Sequence, residues 1–373
     1  MKIGIITIID NINIGSILQA YALCKKLQDL GHKVILIDYW RDSQTLKGTI
    51  KTEFQNKDRN LLLKCSFILG KTVLNSYIKH KLRRPLVSNI NVSKRYKSLD
   101  EIKSNLPDAD IYITGSDQVW NTQYNNGVDR AFFLDFTDKP KLSYACSIGE
   151  NEFPKQYVPD IYRLLSEYRN ISLRERLSTE YLKSLGFEEA YTDVDPTLLI
   201  TKTEWLEYLP LNGQLPEMPY LFVYSVEGKN NDFIFKQAEI LASEMNLKIV
   251  ALTTSPSIML KKYKIDRIYS FAEASQFIHL IANASFVVAS SFHGTAFSIN
   301  FNRQFITIAP DKFNIRILSL LTDLNINDRI VHKQLIHKND ISDIDYVFVN
   351  DKLTRLRNQS LENLRKSINS IKL

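Results

Sequence analysis

Three consecutive segments at the start of the chain leave little freedom in how it folds. The run "KIGIITII" (2–9) is short, apolar and uninterrupted, the pattern of a strand covered on both faces. A turn-rich "DNINIGS" (10–16) follows. Next comes "ILQAYALCKKLQDLG" (17–31), with apolar residues at helical spacing and Gly31 as the stop, and then a second buried strand, "KVILIDYW" (33–40). Strand, helix and strand within the first 40 residues make a βαβ unit, which implies a parallel sheet.

The signal weakens over 42–100, a polar and basic stretch with one amphipathic segment near 60–78. It returns at "ADIYITGSDQVWN" (109–121), "KLSYACSIG" (141–149), "NISLRER" (170–176) and "EAYTDVDPTLLI" (189–200), each read as strand and loop. Between the last two, "STEYLKSLGF" reads as a helix capped by Ser178 and ended at Gly186. A second series opens at "PYLFVYSV" (219–226). It continues through a helix near 231–246, a strand at 248–254, a helix near 272–283, "SFVVASS", a helix at 294–302 and "QFITIAP" (304–310). Two α/β units follow from this, 1–205 and 218–345, joined by an irregular segment around 200–218. A C-terminal amphipathic helix over 350–373 is expected to pack across one of them.

Other residue patterns narrow the function. Cys24, Cys65 and Cys146 are odd in number and form no C-x-x-C pair, which argues for a reducing compartment and against zinc. The six histidines lack ligand spacing, so no metal site is expected. No apolar run is long enough to span a membrane, and the N-terminal run is too short for a signal peptide, so a cytoplasmic protein is expected. The net charge of +7 is partly local: Lys79, Lys81, Arg83, Arg84, Lys94, Arg95 and Lys97 crowd one segment. Either this is a solvated basic face, or it attracts phosphates on an anionic membrane or a pyrophosphate-linked substrate. Nucleic acid is not expected, because no binding motif accompanies the charge.

Ligands of open parallel sheets bind at the carboxyl ends of strands. Three such junctions combine small and polar residues: Asn11 to Ser16, Gly115 to Gln118, and Ser290 to Thr295. No G-x-G-x-x-G follows the first strand, and Gly70-Lys71-Thr72 lacks the leading glycine of a P-loop, since position 65 is Cys. His293 is either a hydrogen-bonded histidine of a strand-to-helix turn or the centre of a site.

Taken in order, "NIGSILQAYAL" (13–23), "DADIYITGSDQVWN" (108–121), "SYACSIG" (143–149), "ISLRE" (171–175), "DVDPTLLI" (193–200) and "SSFHGTAFSINFNRQF" (290–305) resemble the polysaccharide pyruvyl transferase family. The resemblance runs over roughly 1–330. It implies two Rossmann-like domains with mainly parallel sheets facing across a cleft, a GT-B-like arrangement. It also implies transfer of the pyruvyl group of phosphoenolpyruvate, a co-substrate rather than a cofactor, onto sugar hydroxyls of a surface-polysaccharide precursor as a ketal. The acceptor would be a sugar or a lipid-linked glycan, and the basic segment 79–97 would suit peripheral contact with the inner face of a membrane. The alternatives are a glycosyltransferase using a nucleotide sugar, or a binding protein that has kept the fold without the chemistry.

A donor carrying a carboxylate and a phosphate needs cations and amide donors, and ketal formation needs a proton delivered to the methylene carbon. On this reading His293 is the acid or the partner of the donor phosphate, and Asp117 is either the acceptor's base or a helix cap. Arg174, Ser290, Ser291, Gly294, Thr295, Arg316 and Lys312 form the expected donor side. Gly15, Ser16, Gly115, Ser116, Gln118, Trp120 and Asn121 form the expected acceptor side, with Trp120 either a stacking plane or core. Many family members have arginine two positions before this histidine, where this chain has Ser291. Asp193 and Asp195 read as a turn fixed by Pro196.

Overall fold

The computed structural model describes residues 1–55, 61–226, 231–254, 257–309 and 315–371. Strands β1 (Lys2–Ile6), β2 (Lys33–Tyr39), β3 (Val92–Tyr96), β4 (Ile111–Thr114), β5 (Lys141–Ser143) and β6 (Tyr168–Asn170) form one parallel sheet in the order β3-β2-β1-β4-β5-β6. A two-stranded sheet of β7 (Ser172–Leu173) and β8 (Tyr191–Thr192) extends it. Strands β9 (Tyr220–Tyr224), β10 (Lys248–Thr253), β11 (Arg267–Ser270), β12 (Phe286–Ala289), β13 (Gln304–Ile308) and β14 (Ile330–Val331) form a second sheet with the same order, β11-β10-β9-β12-β13-β14. Each order reverses direction once, between β1 and β4 and between β9 and β12, and a doubly wound sheet opens its ligand crevice at that reversal.

The first helix, Ile14–Asp29, starts where the Asn13 side chain accepts from the Gly15 and Ser16 amides, and it ends just before Gly31, whose φ of +87° favours glycine. Its apolar side packs against the helices Pro196–Leu199 and Ala274–Asn283. One continuous apolar core therefore runs from Ile3 and Ile5 in the first sheet, through Ile17 and Leu18, to Phe277 and Phe297 in the second half. Burying each such aliphatic side chain contributes about 1.5–3 kcal/mol. The cleft is thus backed by core on one side, and its depth is fixed by packing.

Several expected elements differ. In "EAYTDVDPTLLI", read as strand and loop, the part after the two-residue β8 is the short helix Pro196–Leu199, because Pro196 sets a helical first turn that the Asp195 side chain caps. Ser178 lies inside the helix Arg176–Ser184, where its hydroxyl donates to the Glu150 carbonyl instead of capping. The joining segment contains the helix Lys202–Tyr208, begun by a capping box at Thr201 and Glu204. The last helix runs over Tyr346–Asn369 and contacts both halves: Arg357 donates to the Leu198 carbonyl at 2.6 Å and to Asn300 at 3.1 Å.

The basic run has its own explanation. Arg83 and Arg95 pair with Asp38 at 2.8 and 3.4 Å, and Lys79 lies 4.4 Å over the Trp40 ring. Lys81 and Arg84 reach Glu273 across the domain boundary, at 3.6 and 3.2 Å. Lys94 lies 5.5 Å over the Tyr96 ring, so six of the seven cations face groups of this chain, which departs from a simple solvated face. Among the described residues, no helix is long and apolar enough to cross a membrane.

Candidate active site

The carboxyl ends of β1 and β4 in one sheet, and of β9 and β12 in the other, meet at His293. The β12 strand ends at Ala289, and Ser291 caps the helix Phe292–Asn300 by accepting from the Gly294 amide at 3.0 Å. His293 therefore sits in the first helical turn, only 4% exposed. Opposite it is Gly15, where an added Cβ would fall 2.1 Å from His293 Nδ1. The imidazole fits because this position has no side chain. Gly15→Ala should lower stability by about 1–3 kcal/mol through overpacking and also slow turnover by displacing His293. Thermal melts and a turnover assay on the same preparation would show both effects; an alanine variant with normal melting and turnover would exclude this close fit.

Charged side chains from four other segments converge here. Arg174 Nη1 donates to Asp195 Oδ2 at 2.7 Å, Nε donates to Glu175 at 3.2 Å, and Nη2 stands 3.7 Å from Asp117. Arg316 approaches Asp117 at 3.8 Å, and His293 Nε2 lies 3.7 Å from Asp195 Oδ2. Those longer separations exceed hydrogen-bond length, so they act through charge. Phe292 carries Arg174 at 4.5 Å and Arg316 at 6.0 Å from its ring centre. Arg174 Nη2, Arg316 Nε and His293 Nε2 are buried without a hydrogen-bond partner.

The ionisation states follow from this packing. Burial opposes charge on Asp195, but His293 and Arg174, with the cap at Thr197, hold it well below the usual carboxylate range. Burial also opposes charge on Asp117; Arg174, His293, Arg316 and the Ser16 hydroxyl outweigh it and keep the carboxyl low. Arg316 is lowered by burial and then by Arg174, against which Asp117 pulls only partly.

Arg174, Asp195, Phe292 and Arg316 also line a cavity of about 270 Å³, closed on one side by Leu356, Gln359 and Ser360 of the last helix. Asp193, in the same wall, accepts from Ser172 at 2.6 Å and from Asn363 at 2.9 Å. Burial outweighs these bonds and raises it to about 6. A carboxyl raised in the folded state stabilises most below its unfolded value and loses that contribution as pH climbs from about 4 to about 6. Asp193→Asn, which mimics the protonated acid, should therefore gain up to about 3 kcal/mol over wild type at pH 8 and little at pH 4. Melting both proteins across that range checks it, and a gap independent of pH would contradict it.

The expected site residues divide clearly. His293, Asp117, Arg174, Arg316, Gly15 and Ser16 come together, Ser16 donating to Asp117 at 2.6 Å. Ser291 accepts from the Gly294 amide, Ser290 bonds Ser225 at 3.3 Å, and Thr295 bonds Thr307 at 2.7 Å beneath the turn. These four build the turn that carries His293. Lys312 lies outside the described residues.

Five residues of the expected acceptor wall pack into the protein, and Trp120 takes the core alternative. Trp120 is fully buried, stacked on Phe133 and donating to the Phe132 carbonyl, so it is core. Gln118 and Asn121 bond each other at 2.7 Å against Gly149. Ser116 is buried, donating to the Ala145 carbonyl, and Gly115 packs on the Tyr144 carbonyl. These residues form the shelf behind Asp117, which itself adopts φ +66°. Asp195, Glu175 and Phe292 were missed as site residues. Each stands inside one of the quoted motifs, and that was their only signal.

Two like-wound parallel sheets with a charged crevice between their reversal points define a GT-B-type enzyme fold. Methanocaldococcus jannaschii UDP-GlcNAc 2-epimerase in complex with UDP-GlcNAc and UDP is similar, with a TM-score of 0.52 at 14% identity over 100% of both chains. An S. aureus MnaA–UDP structure is similar at a TM-score of 0.50 and 13% identity, over 97% of this chain and 90% of that one. A search of curated proteins by sequence returns no match. The polysaccharide pyruvyl transferase family model matches residues 13–312, and the chain belongs to that family.

Proposed function

We propose that the chain transfers the pyruvyl group of phosphoenolpyruvate to two hydroxyls of a surface-polysaccharide precursor, forming a pyruvate ketal. The observation that carries this is the convergence of buried nitrogens without hydrogen-bond partners on Arg174, Arg316 and His293. Unpaired buried donors are costly, and an anion with carboxylate and phosphate oxygens is the kind of ligand that pairs them. Arg316 brings a guanidinium to the Phe292 ring, beside the position where Ser291 replaces the arginine common in the family.

In this reading Arg174 and Arg316 hold the donor. One acceptor hydroxyl attacks C2 and its proton passes to Asp117, while His293 delivers a proton to the methylene carbon. The C2–phosphate bond then breaks, and the second hydroxyl closes the ring as its proton leaves with phosphate. Asp117 is ionised but weakly basic, so it takes the proton late, in step with C–O bond formation. Asp195 balances the imidazolium. The precursor is expected to be a lipid-linked glycan.

The test is a thermal-shift panel followed by turnover. Phosphoenolpyruvate should stabilise the protein, by about 2.7 kcal/mol at a hundred times its Kd, whereas UDP and GDP should not. Lipid-linked glycans should then release phosphate and gain the mass of a pyruvate ketal. Stabilisation by a sugar nucleotide alone would replace this reading with that of a glycosyltransferase.

A further inference from the structure

A second interdomain cavity, of about 290 Å³, shares no lining residue with the cationic one. It lies at the carboxyl ends of β9 and β10, facing the loop after β1, and is lined by Asn11, Asn13, Tyr124, Ser225, Asn231 and Thr254 among others. No described lining residue is charged. Its size is at the lower edge of small-ligand sites, about 300–1,000 Å³.

One wall group is incomplete. Asn11 is 8% exposed, and its Oδ1 is buried with no hydrogen-bond partner. Its Nδ2 donates to Ser16 Oγ at 3.2 Å and to Tyr124 Oη at 3.1 Å. The Ser16 proton is already given to Asp117 at 2.6 Å, so Ser16 can only accept from Asn11, and this fixes which way the amide faces. Tyr124 is held in turn by Arg41, which lies 4.8 Å over its ring and pairs with Asp10 at 2.6 Å. A buried carbonyl oxygen in a cavity whose described lining residues are uncharged calls for a neutral hydroxyl donor.

We infer that this cavity holds one uncharged sugar ring, with a hydroxyl donating to Asn11 Oδ1. That the ring belongs to the acceptor rests on the transferase reading above; the binding itself does not. Asn13 ties the cavity to the reacting centre, because its side chain accepts from the amide of Gly15, the residue on which His293 packs. The Asn11–Ser16–Asp117 chain of hydrogen bonds makes a second link.

The experiment is saturation-transfer NMR on the full protein with methyl α-D-glucopyranoside, methyl α-D-galactopyranoside and methyl α-D-mannopyranoside. At least one should bind wild type and stay bound when phosphoenolpyruvate is added. Asn11→Leu, which removes the acceptor oxygen, should weaken it about tenfold, the value of one hydrogen bond to a buried partner. Thr254→Trp, which fills the cavity without touching the Asn11 network, should abolish it and leave the phosphoenolpyruvate thermal shift unchanged. This second variant decides the matter if Asn11→Leu does not fold. Binding of none of the three glycosides, binding that survives Thr254→Trp, or displacement of the sugar by UDP would overturn the assignment. Sugar binding that depends on Thr254, in a protein that ignores phosphoenolpyruvate, would sink the donor reading and keep this one.

Discussion

His293→Ala should lower the turnover number by about 10²–10⁴-fold, the usual contribution of a positioned general acid, with the protein still folded. Folding should survive because the ring packs on a glycine, Gly15, and its Nε2 makes no hydrogen bond. The variant should still gain stability from phosphoenolpyruvate, since Arg174 and Arg316 remain. Phosphate release in single-turnover assays separates these effects. A variant that binds donor and turns over normally would remove His293 from the chemistry.

The two arginines should behave differently from each other. Arg174 is enclosed by Asp195, Glu175 and Asp117, so Arg174→Met strands buried carboxylates and should cost about 3–5 kcal/mol. Arg316 is disfavoured as a cation by burial and by Arg174. Arg316→Met should leave the melting temperature unchanged or higher while abolishing stabilisation by phosphoenolpyruvate. Stability held down for the sake of a ligand is the mark of a binding residue. Equal destabilisation by both variants, with donor binding intact in Arg316→Met, would make Arg316 part of the scaffold.

The fold was legible because its signals are local. Apolar runs at 2–9, 33–40, 219–226 and 285–289 sit in double-wound sheets, and all three small-residue junctions fall at sheet reversals. His293 and Arg174 were legible through their motifs. Asp195 was read only in part because one side chain does two things: Oδ1 caps a helix beside Pro196, as a turn residue would, while Oδ2 faces Arg174. Trp120 was ambiguous because a large ring beside a glycine-rich loop looks alike whether it faces ligand or core. Asn11 and Tyr124, 113 residues apart, meet only in three dimensions. The basic run 79–97 hid its partners for the same reason, Asp38 and Glu273 being far along the chain.

The helix Tyr346–Asn369 has a consequence for the order in which the protein comes into being. Leu356, Gln359 and Ser360 wall the cationic cavity, yet they are translated after both sheets are complete. At roughly 5–20 residues per second, a nascent chain carries two finished sheets for a second or more before that wall exists. On the proposed reading, donor affinity is acquired only when this helix docks, after the sheets that carry Arg174 and His293 have been made.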